Sequence, residues 1–355
     1  MTHIYLVRHA EAEGNLYRIA QGQGNSNLTD RGWRQVQALE RRFADIQIDA
    51  VYASDLYRTC ATASAIYKPK GLVLHRSREL REICVGVWEH RSWGEVYRRW
   101  PEEMEHFTNR PDLWHLEGAE DPLEARGRVL AAIRKIAAQH TGETVAVFSH
   151  GYVLQMLLSY LQGYSLEELG RTPTGDNTAV SLLEAEGDAL RVVFRDDNSH
   201  LQLLGEKGKR PRGLEPGLWF APLRLPEQAE VFCALASSLW QRSFDRTRLL
   251  EDGGRRETLL GYLGEEPVGV LQLDAASGWI SLLGIRPDCR RRGFGVQLIG
   301  QAVQQTRAAG GGKIFAALPE NGEARSFLEE YGFHPATDGA FVEKNIAFLP
   351  EFLGR

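Results

Sequence analysis

The chain has 355 residues and a mass of 39.9 kDa, with 43% hydrophobic and 25% charged residues and a formal net charge of −5. That length exceeds most single domains and points to two, and the composition is that of an ordinary soluble globular protein. The small negative charge argues against nucleic acid or an acidic membrane surface as the main partner. Cys60, Cys84, Cys233 and Cys289 are scattered, in neither a disulfide framework nor a zinc pattern. The N-terminus lacks the basic and apolar regions of a signal peptide, and no stretch approaches 18 uninterrupted apolar residues, so no membrane span is expected. The cytoplasm is the expected compartment.

Apolar, β-branched runs at 3–7, 50–53, 72–75 and 144–148 read as buried strands. Between them lie helical patterns at 30–44, where Thr29 can cap the helix, and at about 56–67, 120–138 and 151–162. This alternation predicts an α/β fold with a doubly wound, mostly parallel sheet covered on both faces. The stretch GEKGKRPRGLEPG at 205–217 has no apolar period and marks a domain boundary. The expected division is 1–204, a linker at 205–218, and 219–355.

Beyond the boundary the pattern changes. A helix at about 226–241 precedes strands at 258–263 and 267–274, separated by a short turn. A strand at 279–285, a helix from 294, a strand at 313–318, a helix at 321–331 and a last strand near 340–348 follow. Strands meeting at a short turn imply antiparallel pairing, so this half is expected to be mixed α+β.

In an open parallel sheet, ligands bind beyond the carboxyl ends of the strands. Three strands here deliver cationic or potentially cationic groups at that end. The first gives Arg8 and His9, the second leads through Ser54 and Asp55 to Arg58, and the fourth gives Ser149 and His150. Two imidazoles and two guanidiniums on one edge describe a site for a dianion, above all a phosphoryl group. Glu79, Glu82 and Glu89 are nearby carboxylates, any of which can serve chemistry or merely the surface.

The motifs RHAE, LTDRGWRQVQAL, SDLYRTCATA, LREICVGVWE, FSHG and GDNTAVSLLE, with Asn15 six residues after His9, occur in an order that resembles the histidine phosphatase superfamily, the phosphoglycerate-mutase-like group. The resemblance spans about residues 1–200. It implies His9 as a transiently phosphorylated nucleophile and Arg8, Arg58 and His150 as ligands of the phosphoryl oxygens. It implies Asn15, Gln21 and Gly22 at the substrate and Glu82 as the general acid, favoured over Glu79 and Glu89 by the frame LREIxxG. Guanidinium and imidazole would supply the positive charge, so no metal is expected. His90 departs from the family, which more often has glycine there, and reads equally as pocket rim or surface.

Only 67 residues separate Glu82 from His150, which resembles the phosphatase branch rather than mutases with their long insertion. Gly118, Ala119 and Glu120 approximate that branch's GES segment. The expected activity is that of a phosphomonoesterase acting on a small phosphorylated metabolite, with a mutase as the alternative. Trp88, Trp93, Tyr97, Trp100, Phe107 and Trp114 either roof the pocket or pack against the sheet.

In the second half, Arg290, Gly293 and Gly295 form RxxGxG at a helix start, where small residues and free first-turn amides can cradle a pyrophosphate. With Asn321 opening a later helix and Gly332-Phe333 closing it, residues 220–350 resemble the GNAT superfamily of N-acetyltransferases. This implies acetyl-CoA as cofactor, held by Arg290, Arg291, Arg292, Gly293, Phe294, Gly295 and Val296, with Asn321 near its pantetheine. Leu328 stands where the family often has a catalytic tyrosine, with Tyr331 one turn on. Ser281 is the only polar side chain of the strand 279–285. The readings are therefore a bifunctional enzyme, a phosphatase with a silent acyl-CoA-sensing module, or a first half that binds phosphorylated ligands without turnover.

Overall fold

A computed structural model of the protein describes residues 1–204, 217–240, 244, 257–337 and 339–353. The first half is built on a six-stranded sheet ordered β3-β2-β4-β1-β5-β6. Strands β1 (Thr2–Arg8), β2 (Ala50–Ser54), β3 (Leu74–Ser77) and β4 (Thr144–Ser149) run parallel. The central β4 is buried along almost its whole length, as a strand covered on both faces must be. Strands β5 (Val180–Glu186) and β6 (Ala189–Asp197) add an antiparallel edge that periodicity alone did not indicate. The third strand begins two residues later than its apolar run suggests.

Helices α2 (Asp30–Phe43) and α3 (Tyr57–Tyr67) cover one face, with a short α1 (Glu13–Tyr17) before them. Helices α4 (Trp93–Arg99), α5 (Pro101–Asn109), α6 (Pro122–Gln139) and α7 (Gly151–Leu161) cover the other. Thr29 caps α2, its hydroxyl accepting from the Gly32 amide at 3.0 Å. Asp121 caps α6 ahead of Pro122, accepting from Leu123 and Glu124. Trp88, Trp93, Phe107, Trp114 and Tyr152 interlock edge to face or stacked over that second face. Trp88 and Trp114 are fully buried, so this aromatic group is core.

The second half is a seven-stranded mixed sheet ordered β12-β13-β11-β10-β9-β8-β7. It comprises β7 (Trp219–Pro222), β8 (Glu257–Leu263), β9 (Glu266–Asp274), β10 (Trp279–Ile285), β11 (Lys313–Ala317), β12 (His334–Pro335) and β13 (Phe341–Asn345). Helix α8 (Ala229–Trp240) packs on one face and α9 (Phe294–Ala308) on the other, with α10 (Gly322–Glu330) following β11. Strands β10 and β11 pair in parallel only at Trp279–Phe315 and Ile280–Ala316, and β10 bulges against β9 between Ile280 and Leu282. Beyond that point the two strands part on the way to α9. Of the expected linker 205–218, residues 205–216 lie outside the described ones; Leu218, its last residue, is buried, and its amide donates to the Gln297 side chain at 2.8 Å.

The halves are packed together. Tyr17 and Ile19 of the first half belong to the core of the second, and a Cβ on Gly300 would lie 2.5 Å from that of Tyr17. Glycine in α9 thus admits α1. Arg307 pairs with the buried Glu13 through both Nη atoms, at 3.0 and 3.2 Å. After β13 the chain crosses back, its Ile346 and Ala347 carbonyls accepting from Asn27. Phe348 and Phe352 then close on Tyr57, and Glu351 pairs with Lys68. Phe352 is fully buried in the first half's core, a burial contributing about 1.5–3 kcal/mol.

Candidate active site

The register of the first sheet explains the convergence. Arg8 of β1 lies opposite Ser149 of β4, so the next residues, His9 and His150, leave the sheet side by side with ring centroids 5.3 Å apart. The His9 amide donates to the Ser149 carbonyl at 3.0 Å and fastens the two ends together. Strand β2 ends level with them and turns at Leu56 into α3, which carries Arg58 in its first turn.

His9 is buried, and its Nδ1 lies 2.7 Å from the Ala10 carbonyl oxygen. A carbonyl can only accept, so Nδ1 carries the proton and Nε2 is left with a lone pair. Burial, and then the charges of Arg58 and Arg8, hold its pKa well below the usual histidine range. The imidazole is therefore neutral at neutral pH. His150 is buried with neither ring nitrogen partnered, and burial and Arg58 depress its pKa in the same way. An unpaired buried ring costs free energy and fits a group that waits for an incoming oxyanion.

Arg58 is 1% exposed. Its Nη1 and Nη2 donate to the carbonyls of Gly24 and Gly22 at 2.7 and 2.8 Å. Burial lowers its pKa to about 10, opposed by the charges of Glu82 and Glu89, so it stays protonated at neutral pH. Arg8 bonds to the Gly175 carbonyl through Nη1. Its guanidinium carbon would be 2.9 Å from a Cβ on Gly151, so only glycine there lets it lie across the start of α7.

Glu82 is buried at the mouth of α7. Its Oε1 accepts from the amides of Ile83 and Val153, and Oε2 from that of Tyr152, each at 3.0 Å. These donors favour the charged form and burial opposes it; burial wins and the pKa is raised. Glu79 is exposed, and Glu89 instead binds the loop at 22–24. The His90 ring lies beside Gly24 and is exposed, while its carbonyl accepts from Gln304 of α9.

Asn15 uses its Oδ1 to accept from the Ala12 amide and from Asn177 Nδ2, at 3.1 and 3.3 Å, which leaves its own NH2 available. Gln21 accepts from Ser26. The Gly22 amide is taken by Glu89 and its carbonyl by Arg58, so both its polar backbone groups are engaged inside the protein. Sequence reasoning missed Asn177, which also donates to the His9 carbonyl at 3.0 Å. It also missed Arg128, which donates to the carbonyls of Glu79, Arg81 and Glu82 and pairs with Glu120 at 2.7 Å through two nitrogens. Asn177 stood within a motif without a role attached; Arg128 lay mid-helix with no local signal.

In the second half, Gly293 (φ 77°) precedes α9 with no side-chain cap, so the first-turn amides of α9 are open to an anion. Arg290 donates to the Ile285 carbonyl, Arg291 (φ 61°) lies 3.8 Å from Glu323, and Arg292 stands over the Phe294 ring. A Cβ on Gly295 would be 2.9 Å from the Phe327 ring. Asn321 caps α10 through Glu323, and Val296 is buried. Leu328 is buried in the core, and Tyr331 rests edge-on against Phe327.

A family model of the histidine phosphatase superfamily (branch 1) matches residues 4–198, and one of the acetyltransferase (GNAT) family matches 225–333. The chain is 28% identical over 186 residues to phosphoserine phosphatase 1 of Hydrogenobacter thermophilus, covering 52% of this chain and 88% of that one. It is 34% identical over 166 residues to a probable phosphoglycerate mutase, GpmB, of Proteus mirabilis, covering 46% and 76%. Among solved structures, Bacillus stearothermophilus YhfR superposes with a TM-score of 0.55 at 30% identity, over 57% of this chain and all of that one. Among the described residues, no helix is long and apolar enough to cross a membrane.

Proposed function

The chain belongs to the histidine phosphatase superfamily, and from that premise we propose that residues 1–204 form a phosphomonoesterase that works through a phosphohistidine. The observation that supports it most is the neutral His9, its Nδ1 held by the Ala10 carbonyl, its Nε2 left with a lone pair, and the charges of Arg58 and Arg8 close by. Nε2 attacks phosphorus as the ester oxygen leaves, and the new N–P bond replaces the broken P–O bond. Arg8, Arg58, His150 and the Asn15 amide hold the phosphoryl oxygens where negative charge is spread in the transition state. Glu82, whose pKa burial raises, gives its proton to the departing alkoxide. As a carboxylate it then takes a proton from water, which attacks phosphorus and releases phosphate and His9.

The substrate class is a small metabolite monoester, with phosphoserine and phosphoglycerate the first candidates from the relatives' names. The test measures phosphate release from such esters and traps the acid-labile phosphoenzyme. Release that disappears in His9→Ala is expected; release unchanged in His9→Ala overturns the mechanism. Isomerisation of phosphoglycerate without release would establish the mutase instead.

Residues 219–355 are read as an acyl-CoA-binding domain. The uncapped first turn of α9 fits the cofactor's pyrophosphate: backbone groups from Gly293 to Val296 hold it and Arg290 to Arg292 flank it. Acetyl-CoA, when bound, supplies an activated acetyl group. Leu328 is turned into the core and Tyr331 is engaged with Phe327, which favours a binding role over acetyl transfer. Micromolar acetyl-CoA binding without acetylation of any amine in a panel is the expected result. Turnover would establish the bifunctional reading.

A further inference from the structure

We infer that Glu89 is a positioning residue of the phosphoryl pocket, closing on three successive amides and so holding the loop whose carbonyls aim the Arg58 guanidinium. Its Oε1 accepts from the Gln23 amide at 2.6 Å, and its Oε2 from those of Gly22 and Gly24 at 3.2 and 3.3 Å. Three consecutive N–H groups turned to one side form an anion-binding hollow, and here the chain fills it with its own carboxylate. In a trans peptide the carbonyl points opposite the N–H of the following residue, so the Gln23 amide that Glu89 holds aims the Gly22 carbonyl directly, and the Gly24 carbonyl follows in the same turn. The carbonyls of Gly22 and Gly24 are the groups to which Arg58 donates.

The glycines make the contact possible. A Cβ on Gly22 would lie 2.4 Å from the Ile83 carbonyl oxygen and 2.5 Å from Glu89 Oε1. A Cβ on Gly24 would meet the His90 ring at 2.4 Å and Glu89 Oε2 at 3.3 Å. The loop has no regular secondary structure of its own, so its conformation depends on what it is bonded to. The Gln23 side chain adds a second tie, donating to the Glu82 carbonyl at 3.2 Å and accepting from Arg81 at 3.3 Å. Arg58 has no carboxylate hydrogen-bonded to it among the described residues; both its Nη atoms are oriented by this loop. The Glu89 charge also supports the protonated guanidinium against its burial. Glu89 thus acts on the reacting group mainly through Arg58, two hydrogen bonds removed.

This assignment rests on the pocket being a phosphoryl site, and it is tested by a double-mutant cycle in the full chain. In Glu89→Gln an NH2 replaces one acceptor oxygen and faces amide donors. With p-nitrophenyl phosphate, kcat is expected to fall about 30-fold with KM within about threefold, because one oxyanion donor is misaligned. Orthovanadate affinity should fall in parallel. In an Arg58→Ala background, Glu89→Gln should change both by less than about twofold. Losses that multiply between the two sites, or an unchanged kcat in Glu89→Gln, overturn the inference. If Glu89→Gln does not fold, Gly22→Ala displaces the same loop and must show the same non-additivity with Arg58→Ala. Failure of the phosphohistidine reading would show instead as full turnover in His9→Ala, with the Glu89–Arg58 link still readable in vanadate affinity.

Discussion

The two proposed ligand sites of this chain differ in how their charge is held. In the first half, Arg58 is 1% exposed, tied to two carbonyls, with a neutral His9 and an unpartnered His150 beside it. In the second, the Arg291 side chain is 84% exposed, and the groups offered to an anion are mainly the amides of α9. Buried, preorganised charge pays off where negative charge shifts during a reaction. Open amides flanked by exposed arginines suffice to hold a ligand whose charge does not change. The contrast reads as turnover in one half and capture in the other.

The largest effect expected from breaking this contrast is at His9. His9→Ala should lower phosphate release by about 10⁴-fold or more, as losing a nucleophile does, while acetyl-CoA affinity stays unchanged by calorimetry. Glu82→Gln comes next. It should cost about 10²–10³-fold in kcat/KM with an alkyl phosphate, and much less in kcat/KM with p-nitrophenyl phosphate, whose leaving group needs no proton. An equal loss on both esters would remove Glu82 as the acid. On the other side, Gly293→Val forces a branched side chain into a left-handed turn. A strain of about 1–2 kcal/mol should weaken acetyl-CoA binding roughly tenfold with phosphate release untouched.

The pH dependence should be the mildest effect. His9 stays neutral below its usual pKa and Glu82 stays protonated above its own, so kcat/KM is expected to peak on the acid side of neutrality, with Glu82→Gln removing the alkaline limb. Stability follows the histidines with the opposite sign. Their folded pKa values are depressed, so the unfolded chain binds more protons below about pH 6.5. Stability is present above that pH and declines as pH falls through it, by up to about 1.4 kcal/mol per pH unit for each ring. Thermal unfolding of His150→Gln should show a shallower decline between pH 6.5 and 5.

Much of the pocket was legible because strand ends are local. An apolar run that stops on Arg8-His9 or Ser149-His150 announces both the strand and the group it delivers, and the parallel register then brings the two together. Glu82 was separable from its neighbours only through the LREIxxG frame. The supporting groups were not legible. Arg128, Asn177 and Glu89 act through backbone groups distant in sequence, and nothing local distinguishes them from solvated side chains. The edge strands β5 and β6 were passed over because one is half exposed and alternates weakly. The seam between the halves was hidden for the same reason: Tyr17, Glu13, Gly300 and Arg307 each look ordinary until α1 and α9 meet.

The returning segment after β13 bears on how the protein comes into being. Synthesis runs from the N-terminus, and domains ordinarily fold as units in that order. Here Phe352, made after the whole of the second sheet, completes a hydrophobic cluster that also holds Val7, Val51 and Tyr57. Tyr57 is the neighbour of Arg58, so the helix that presents the guanidinium keeps an open flank until the segment beyond β13 has been made. The nascent first half is therefore a protein with a missing piece, and the ribosome supplies that piece only after making everything in between.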